Sequence, residues 1–174
     1  MTVLRDLKKA RVDSSHVQYV SCDFESQDWM ESLQSDSDFD RNIPSLFVWE
    51  GVTMYLDREV VISTISKISR CGKGSCIAFD HFDESNMNNI LRRSSKRVGE
   101  PFKFGLDNLD QFVTDCNDRA LSDGTSDGGS ASPPLQVLDH LRCKELKERY
   151  IAQSNGRFVG YLSEFGGFLL MGSQ

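Results

Sequence analysis

One segment constrains the fold of this chain more than any other: the apolar run at residues 46–49, which ends in Glu50 and Gly51. An apolar run without alternation is typical of a strand covered on both faces, as in a parallel sheet flanked by helices. Ligands of open α/β sheets bind outside the carboxyl ends of the strands, where Glu50 falls. Its carboxylate can accept hydrogen bonds there, and Gly51 allows close backbone approach. The alternative is that Glu50 only caps the next turn.

Two further β-like runs end in the same way. Residues 17–22 are followed by Asp23 and Phe24, and residues 76–79 by Asp80 and His81. Segments with helical periodicity separate the three runs. This alternation predicts a doubly wound α/β domain.

The rest of the sequence predicts further elements in one domain, residues 1–174. Asp57 is expected to cap a helix over residues 58–69. The G-x-G at residues 72–74 follows a helix and opens a strand, so it is interpreted as a turn and not a phosphate loop. Residues 122–134 are rich in Ser, Gly and Asp and predict a flexible insertion without chemistry. Helices are also expected over 3–11, 27–33, 83–97, 109–113 and 139–151, and strands over 135–138, 158–162 and 168–171, the last two joined around Gly166 and Gly167.

Composition excludes several classes of function. The net charge of −6 argues against a nucleic-acid backbone as partner. Five cysteines without CxxC spacing predict reduced thiols in a cytoplasmic protein, with neither a disulfide framework nor a zinc site. The amino terminus has no secretory signal, and no apolar run approaches the roughly twenty residues that span a bilayer.

Asp80 and His81 are candidates for binding or catalysis because they follow a predicted strand. His81 is interpreted either as a general base or as a structural histidine. Consecutive strand residues point to opposite faces, so the two side chains are not expected to share a metal ion, and no metal is predicted.

Residues 49–56, Trp-Glu-Gly-Val-Thr-Met-Tyr-Leu, together with Asp23 and Phe24 upstream, resemble the leucine carboxyl methyltransferase family. The likeness is closer to its bacterial and fungal S-adenosylmethionine-dependent O-methyltransferase branch. Residues 99–106, 139–141 and 148–150 are similar to that branch too. The resemblance runs from near Val3 to the carboxyl end.

The resemblance implies a class I methyltransferase fold, a Rossmann-like parallel sheet with an antiparallel strand near its end. It implies S-adenosyl-L-methionine as cofactor, with Asp23 and Phe24 beside the adenine and Glu50 with Gly51 at the methionine and sulfonium end. Tyr55 falls on the substrate side, and His81 is the candidate base if the acceptor is a hydroxyl. The methyl acceptor is a carboxylate or hydroxyl of a small molecule or of a protein carboxyl terminus. The alternatives are that Asp23 is a helix N-cap and that Phe24 and Tyr55 are packing residues.

The chain departs from the family pattern at one point. The glycine-rich loop after the family's first strand and the ribose-binding acid after its second are absent. The resemblance is therefore to an amino-terminally truncated member lacking the first strands, which predicts that the chain binds the cofactor weakly or not at all. The alternative hypothesis is an inactive remnant or pairing module that self-associates through open sheet edges. A nicotinamide-dependent oxidoreductase is a third hypothesis, without a correctly placed G-x-G-x-x-G.

Overall fold

The structure of the chain, a computed structural model, describes residues 16–87, 95–97, 99, 101–124, 133–142, 145 and 166–173. The chain divides into two units, Met1–Phe39 and Asp40–Gln174. Among the described residues, no helix has the length and apolar content needed to cross a bilayer. The four described cysteines, Cys22, Cys71, Cys76 and Cys116, are all free thiols.

The first unit contains helix α1, Trp29–Asp36, which confirms the helix predicted over residues 27–33. Its N-cap is Asp28, whose carboxylate accepts from the backbone N–H groups of Met30 and Glu31. This cap satisfies two of the amides that have no partner within a helix. Trp29 and Met30 are buried, as their apolar character predicts.

The strand predicted at residues 17–22 is wrong, because the chain there is irregular. Val17 and Tyr19 are exposed, so the run does not bury an apolar face. The side-chain amide of Gln18 instead bonds to the backbone N–H and the carboxylate of Asp38. The apolar composition was misleading because a strand also needs a neighbouring ladder for its backbone groups.

The second unit contains a mixed sheet of four strands in the order β1–β2–β4–β3. Strands β1 and β2 are parallel, whereas β4 runs antiparallel to both β2 and β3. The sheet therefore holds three strands of one direction and one reversed strand between two of them. This α/β arrangement is compatible with a Rossmann-like methyltransferase fold. The strands are β1 Leu46–Trp49, β2 Cys76–Phe82, β3 Leu135–Arg142 and β4 Gly166–Ser173.

Helices α2, Arg58–Ile68, and α3, Leu109–Gly124, pack against each other in this unit. The helix predicted after Asp57 is confirmed, and its apolar stripe is buried at Val61, Ile65 and Ile68. The ring of Phe112 in α3 lies 6.3 Å from that of Phe79 in β2, centroid to centroid. The core therefore lies on the sheet face that carries Phe79.

Two short 3₁₀ turns follow strand ends: Thr53–Tyr55 comes after β1, and Glu84–Asn86 comes after β2. The turn predicted at the G-x-G is confirmed. A Cβ on Gly72 would lie 2.4 Å from the backbone oxygen of Asn42, so this position needs glycine for close backbone approach.

Several predicted boundaries change. Residues 139–142 are strand and not helix, because they continue β3 and pair with β4. Residues 166–167, expected to join strands, open β4. Strand β2 continues to Phe82, so Asp80 and His81 lie inside it. Helix α3 continues to Gly124, so the first three residues of the expected insertion are helical. The predictions for residues 3–11, 88–94, 125–132, 146–151 and 158–162 lie outside the described residues.

Candidate functional site

The loop that leaves β1 is built around Glu50 and Gly51. Both residues are exposed, and Gly51 has a φ of +69°, a left-handed conformation that favours glycine. A Cβ added at Gly51 would meet nothing within 4 Å, so the glycine faces open space. The chain therefore turns sharply out of the sheet next to an exposed carboxylate.

Asp80 of β2 holds this loop from the neighbouring strand. The backbone N–H of Gly51 donates to Asp80 Oδ1 over 2.9 Å, and Thr53 Oγ1 donates to the backbone oxygen of Asp80 over 2.7 Å. Thr53 is fully buried, so water does not compete for its hydrogen bond to Asp80. The sequence singled out Asp80 as an acid near a strand end, but it gave no signal for either bond.

Tyr55 closes the 3₁₀ turn and is half-buried. Its ring lies 5.4 Å from the ring of Phe102, which in turn lies 5.2 Å from the ring of Phe82 in β2. The backbone N–H of Lys103 donates to the backbone oxygen of Met54 over 2.7 Å. Part of the 99–106 segment, which sequence reasoning noted only for its resemblance, thus fixes the Tyr55 ring.

His81 lies on the other face of β2 from Asp80. Its side chain is 0% exposed, and its Nε2 lies 3.1 Å from Nε2 of His140 in β3. Its Nδ1 lies 3.3 Å from the backbone oxygen of Phe82. Burial lowers the pKa of both His81 and His140. The structure therefore does not bring the His81 imidazole together with the Glu50 loop.

Asp83, just beyond β2, faces the histidine pair. Its Oδ1 lies 3.8 Å from Nδ1 of His81, and its other carboxylate oxygen accepts from the guanidinium of Arg142. Within the part of the chain that the structure describes, no three His, Cys, Asp or Glu side chains cluster as metal ligands would.

In the first unit, Asp23 caps a turn. Its carboxylate accepts from Ser26 Oγ over 2.6 Å and from the backbone N–H of Glu25 over 3.0 Å. The hydrogen bond from Ser26 is the main cause that lowers the pKa of Asp23. Each carboxylate oxygen has a second acceptor site, so an ionised Asp23 can still receive a ligand N–H. Phe24 beside it is half-buried.

Comparison with known proteins agrees with part of this picture. The model of the leucine carboxyl methyltransferase family matches residues 2–69. This confirms the resemblance over the stretch that contains Asp23, Phe24, Glu50, Gly51 and Tyr55, whereas Asp80 and His81 lie beyond it. The family implies a methyltransferase that depends on S-adenosylmethionine. No curated protein matches the chain.

Proposed function

We propose that the chain serves S-adenosylmethionine-dependent O-methyl transfer, with the Glu50–Gly51 loop at the methionine and sulfonium end of the cofactor site. One observation carries the proposal: Gly51 is fixed at positive φ beside open space, where β1 and its parallel pairing with β2 end next to an exposed carboxylate. Strand ends of this kind are where α/β sheets bind ligands. The family match, which spans this loop, supports the same reading.

The residues at hand suit the cofactor. When bound, it supplies an electrophilic methyl group on a sulfonium cation. A fixed negative charge at Glu50 favours that cation by Coulomb attraction. We assign Asp23 and Phe24 to the adenine by resemblance, since an ionised Asp23 accepts from an amino group. Tyr55, whose ring is held against Phe102, is assigned to the substrate side.

The acceptor that we favour is a carboxylate. Carboxylic acids have pKa values near 4, so the attacking oxygen is already ionised at neutral pH and needs no base. A hydroxyl acceptor needs one. The candidate base, His81, is buried on the face of β2 away from Asp80 and the Glu50 loop. The carboxylate belongs to a small acid or to a protein terminus, and catalysis would then depend on positioning it against the methyl group and not on a base.

The test is an NMR titration of the whole chain with S-adenosylmethionine and, separately, with S-adenosylhomocysteine, to millimolar concentrations. We expect Glu50→Gln to weaken the binding of S-adenosylmethionine more than that of S-adenosylhomocysteine, because only S-adenosylmethionine carries the sulfonium charge. Glu59→Gln is the matched control, an exposed acid in the first turn of α2. Equal affinities in the two variants, or no binding by the natural chain, would contradict the proposal.

A second candidate function is pairing with a copy of the same chain. Leu46 and Val48 are 64% and 63% exposed on the same sheet face as Phe168, whereas parallel strands are usually covered on both faces. Among the described strands, β1 also lies at an open edge of the sheet, and open edges pair with other chains. We therefore infer that another copy covers this face. Light scattering should then show a dimer for the natural chain and a monomer for Val48→Lys. Val137→Lys, on the opposite face of β3, is the control and should leave the dimer intact.

A further inference from the structure

We propose that Asp80 is a positioning residue that sets the place of the Glu50 carboxylate. This inference rests on the proposed function, because it concerns the same loop. It assigns to Asp80 neither a ligand contact nor a metal, but the task of holding the backbone on either side of the turn.

The first step of the argument is the end of the ladder between β1 and β2. The last paired residues are Trp49 and Phe79. Asp80, the next residue of β2, receives donors from residues that have already left β1: the N–H of Gly51 and the hydroxyl of Thr53. The side chain and backbone of one residue thus replace the missing ladder bonds.

The second step concerns Glu50 itself. It lies between the Trp49–Phe79 pair and the bond from Gly51 to Asp80, so both of its neighbours are attached to β2. None of the described residues forms a hydrogen bond with its carboxylate. Only the backbone therefore decides where that carboxylate points, and the backbone there is held by Asp80.

The third step is the backbone conformation. Glycine at positive φ has alternative conformations of similar energy, because it lacks a Cβ. The bond from Gly51 N–H to the Asp80 carboxylate selects one of them. If cofactor binding requires that conformation, losing this hydrogen bond weakens the affinity by roughly three- to tenfold.

The variants that test this are Asp80→Asn and Asp80→Ala. The Asn amide oxygen still accepts from Gly51, so we expect Asp80→Asn to bind S-adenosylmethionine nearly as well as the natural chain. We expect Asp80→Ala to bind roughly three- to tenfold more weakly. A direct electrostatic role for Asp80 would instead weaken both variants equally, and that result would overturn the proposal.

A double-mutant cycle separates positioning from general stability. If Asp80 acts through Glu50, Asp80→Ala should have little further effect on affinity once Glu50→Gln is present. A full additive loss in the double variant would contradict the proposal.

Amide exchange of Gly51, measured by NMR without ligand, separates this inference from the proposed function. Its protection should fall in Asp80→Ala and persist in Asp80→Asn, whether or not the chain binds the cofactor. If Asp80→Ala does not fold, Thr53→Val should show the same loss and Thr53→Ser should not. Unchanged Gly51 protection in the variants that lose these bonds would overturn the inference.

Discussion

His81 Nε2 lies 3.1 Å from Nε2 of His140, although the two residues belong to strands that are not neighbours. Strand β4 runs between them, and the residue opposite His81 in the register is Gly167. A Cβ at Gly167 would lie 3.2 Å from His81 Nε2, so the missing side chain leaves room for the contact. A carbonyl only accepts, so the proximity of Phe82 O places the His81 proton on Nδ1. His81 Nε2 then accepts from His140.

The first prediction is that stability falls as the pH drops from 7.5 to 5.5. Burial lowers the pKa of both histidines in the folded chain. Below the ordinary pKa near 6.5, the unfolded chain therefore binds more protons than the folded chain, and this difference favours unfolding. Above that value both states are neutral and the effect vanishes. We expect the melting temperature of the natural chain to fall further over this pH range than the melting temperature of His140→Gln.

The charged groups that act on the histidine pair are Asp83, Asp139, Arg142 and Glu145. The control is His16→Gln, which removes the exposed third histidine and should keep the natural pH dependence. Identical pH dependence in His140→Gln and the natural chain would contradict this account.

The second prediction concerns Gly167→Ala. The added Cβ would lie 2.9 Å from the backbone oxygen of Leu141 and would crowd His81, so one of these neighbours must move. We expect a loss of about 1–3 kcal/mol in the free energy of unfolding, measured with urea. Gly124→Ala is the matched control, since an added Cβ there would lie 3.9 Å from the guanidinium of Arg70. Equal stability of the two variants would show that β4 tolerates a side chain at Gly167.

The third prediction compares two arginines. Arg58 bonds to Asp115 over 2.8 Å, lies 3.4 Å from Asp107, and places its guanidinium 5.7 Å from the ring centre of Phe112. It therefore joins the start of α2 to α3 by charge and by ring contact. Arg119→Ala removes only an exposed pair with Asp123 within one helix.

Arg58→Ala should lower the free energy of unfolding by about 1–2 kcal/mol, and Arg119→Ala by less than about 0.5 kcal/mol. Urea unfolding at two salt concentrations measures both values. A loss at Arg58 that disappears entirely in high salt would mean that the ring contact contributes nothing.

The fourth prediction concerns thiol reactivity. Burial is the main cause that raises the pKa of Cys116 to about 12, and it also raises the pKa of Cys71. Because the thiolate is the reactive form, neither should be alkylated by iodoacetamide at pH 8 in the folded chain. Of the four cysteines that the structure describes, half-exposed Cys22 and Cys76 should react first, as peptide mass spectrometry would show. Early labelling of Cys116 would indicate local opening of α3.

The parts of the fold that the sequence predicted well are local. The strand before Glu50 and the stripe of α2 are visible as short-range patterns, and both are confirmed. The expectation that this strand is covered on both faces is wrong, because Leu46 and Val48 are exposed on one face. Residues 139–142 were misassigned because their pattern suits a helix or a strand, and pairing with β4 decides between them.

The candidate site was less predictable because its contacts join distant residues. Asp80 and Gly51 are 29 positions apart, and His81 and His140 are 59 apart. No local periodicity encodes such bonds. Chemistry alone marked Asp80 and His81 as notable, but only the alternation of β2 separates them into a loop-holding acid and a buried histidine.

The strand order β1–β2–β4–β3 has a consequence for synthesis on the ribosome. Strand β3 is made before β4, yet among the described strands its backbone is joined to that of β2 only through β4. Until residues 166–173 emerge, the backbone groups of β3 lack the ladder that they have in the finished sheet, and the edge of β2 that receives β4 stays open. Such edges recruit other strands. A nascent chain of this sequence should therefore depend on chaperones until its last strand is in place.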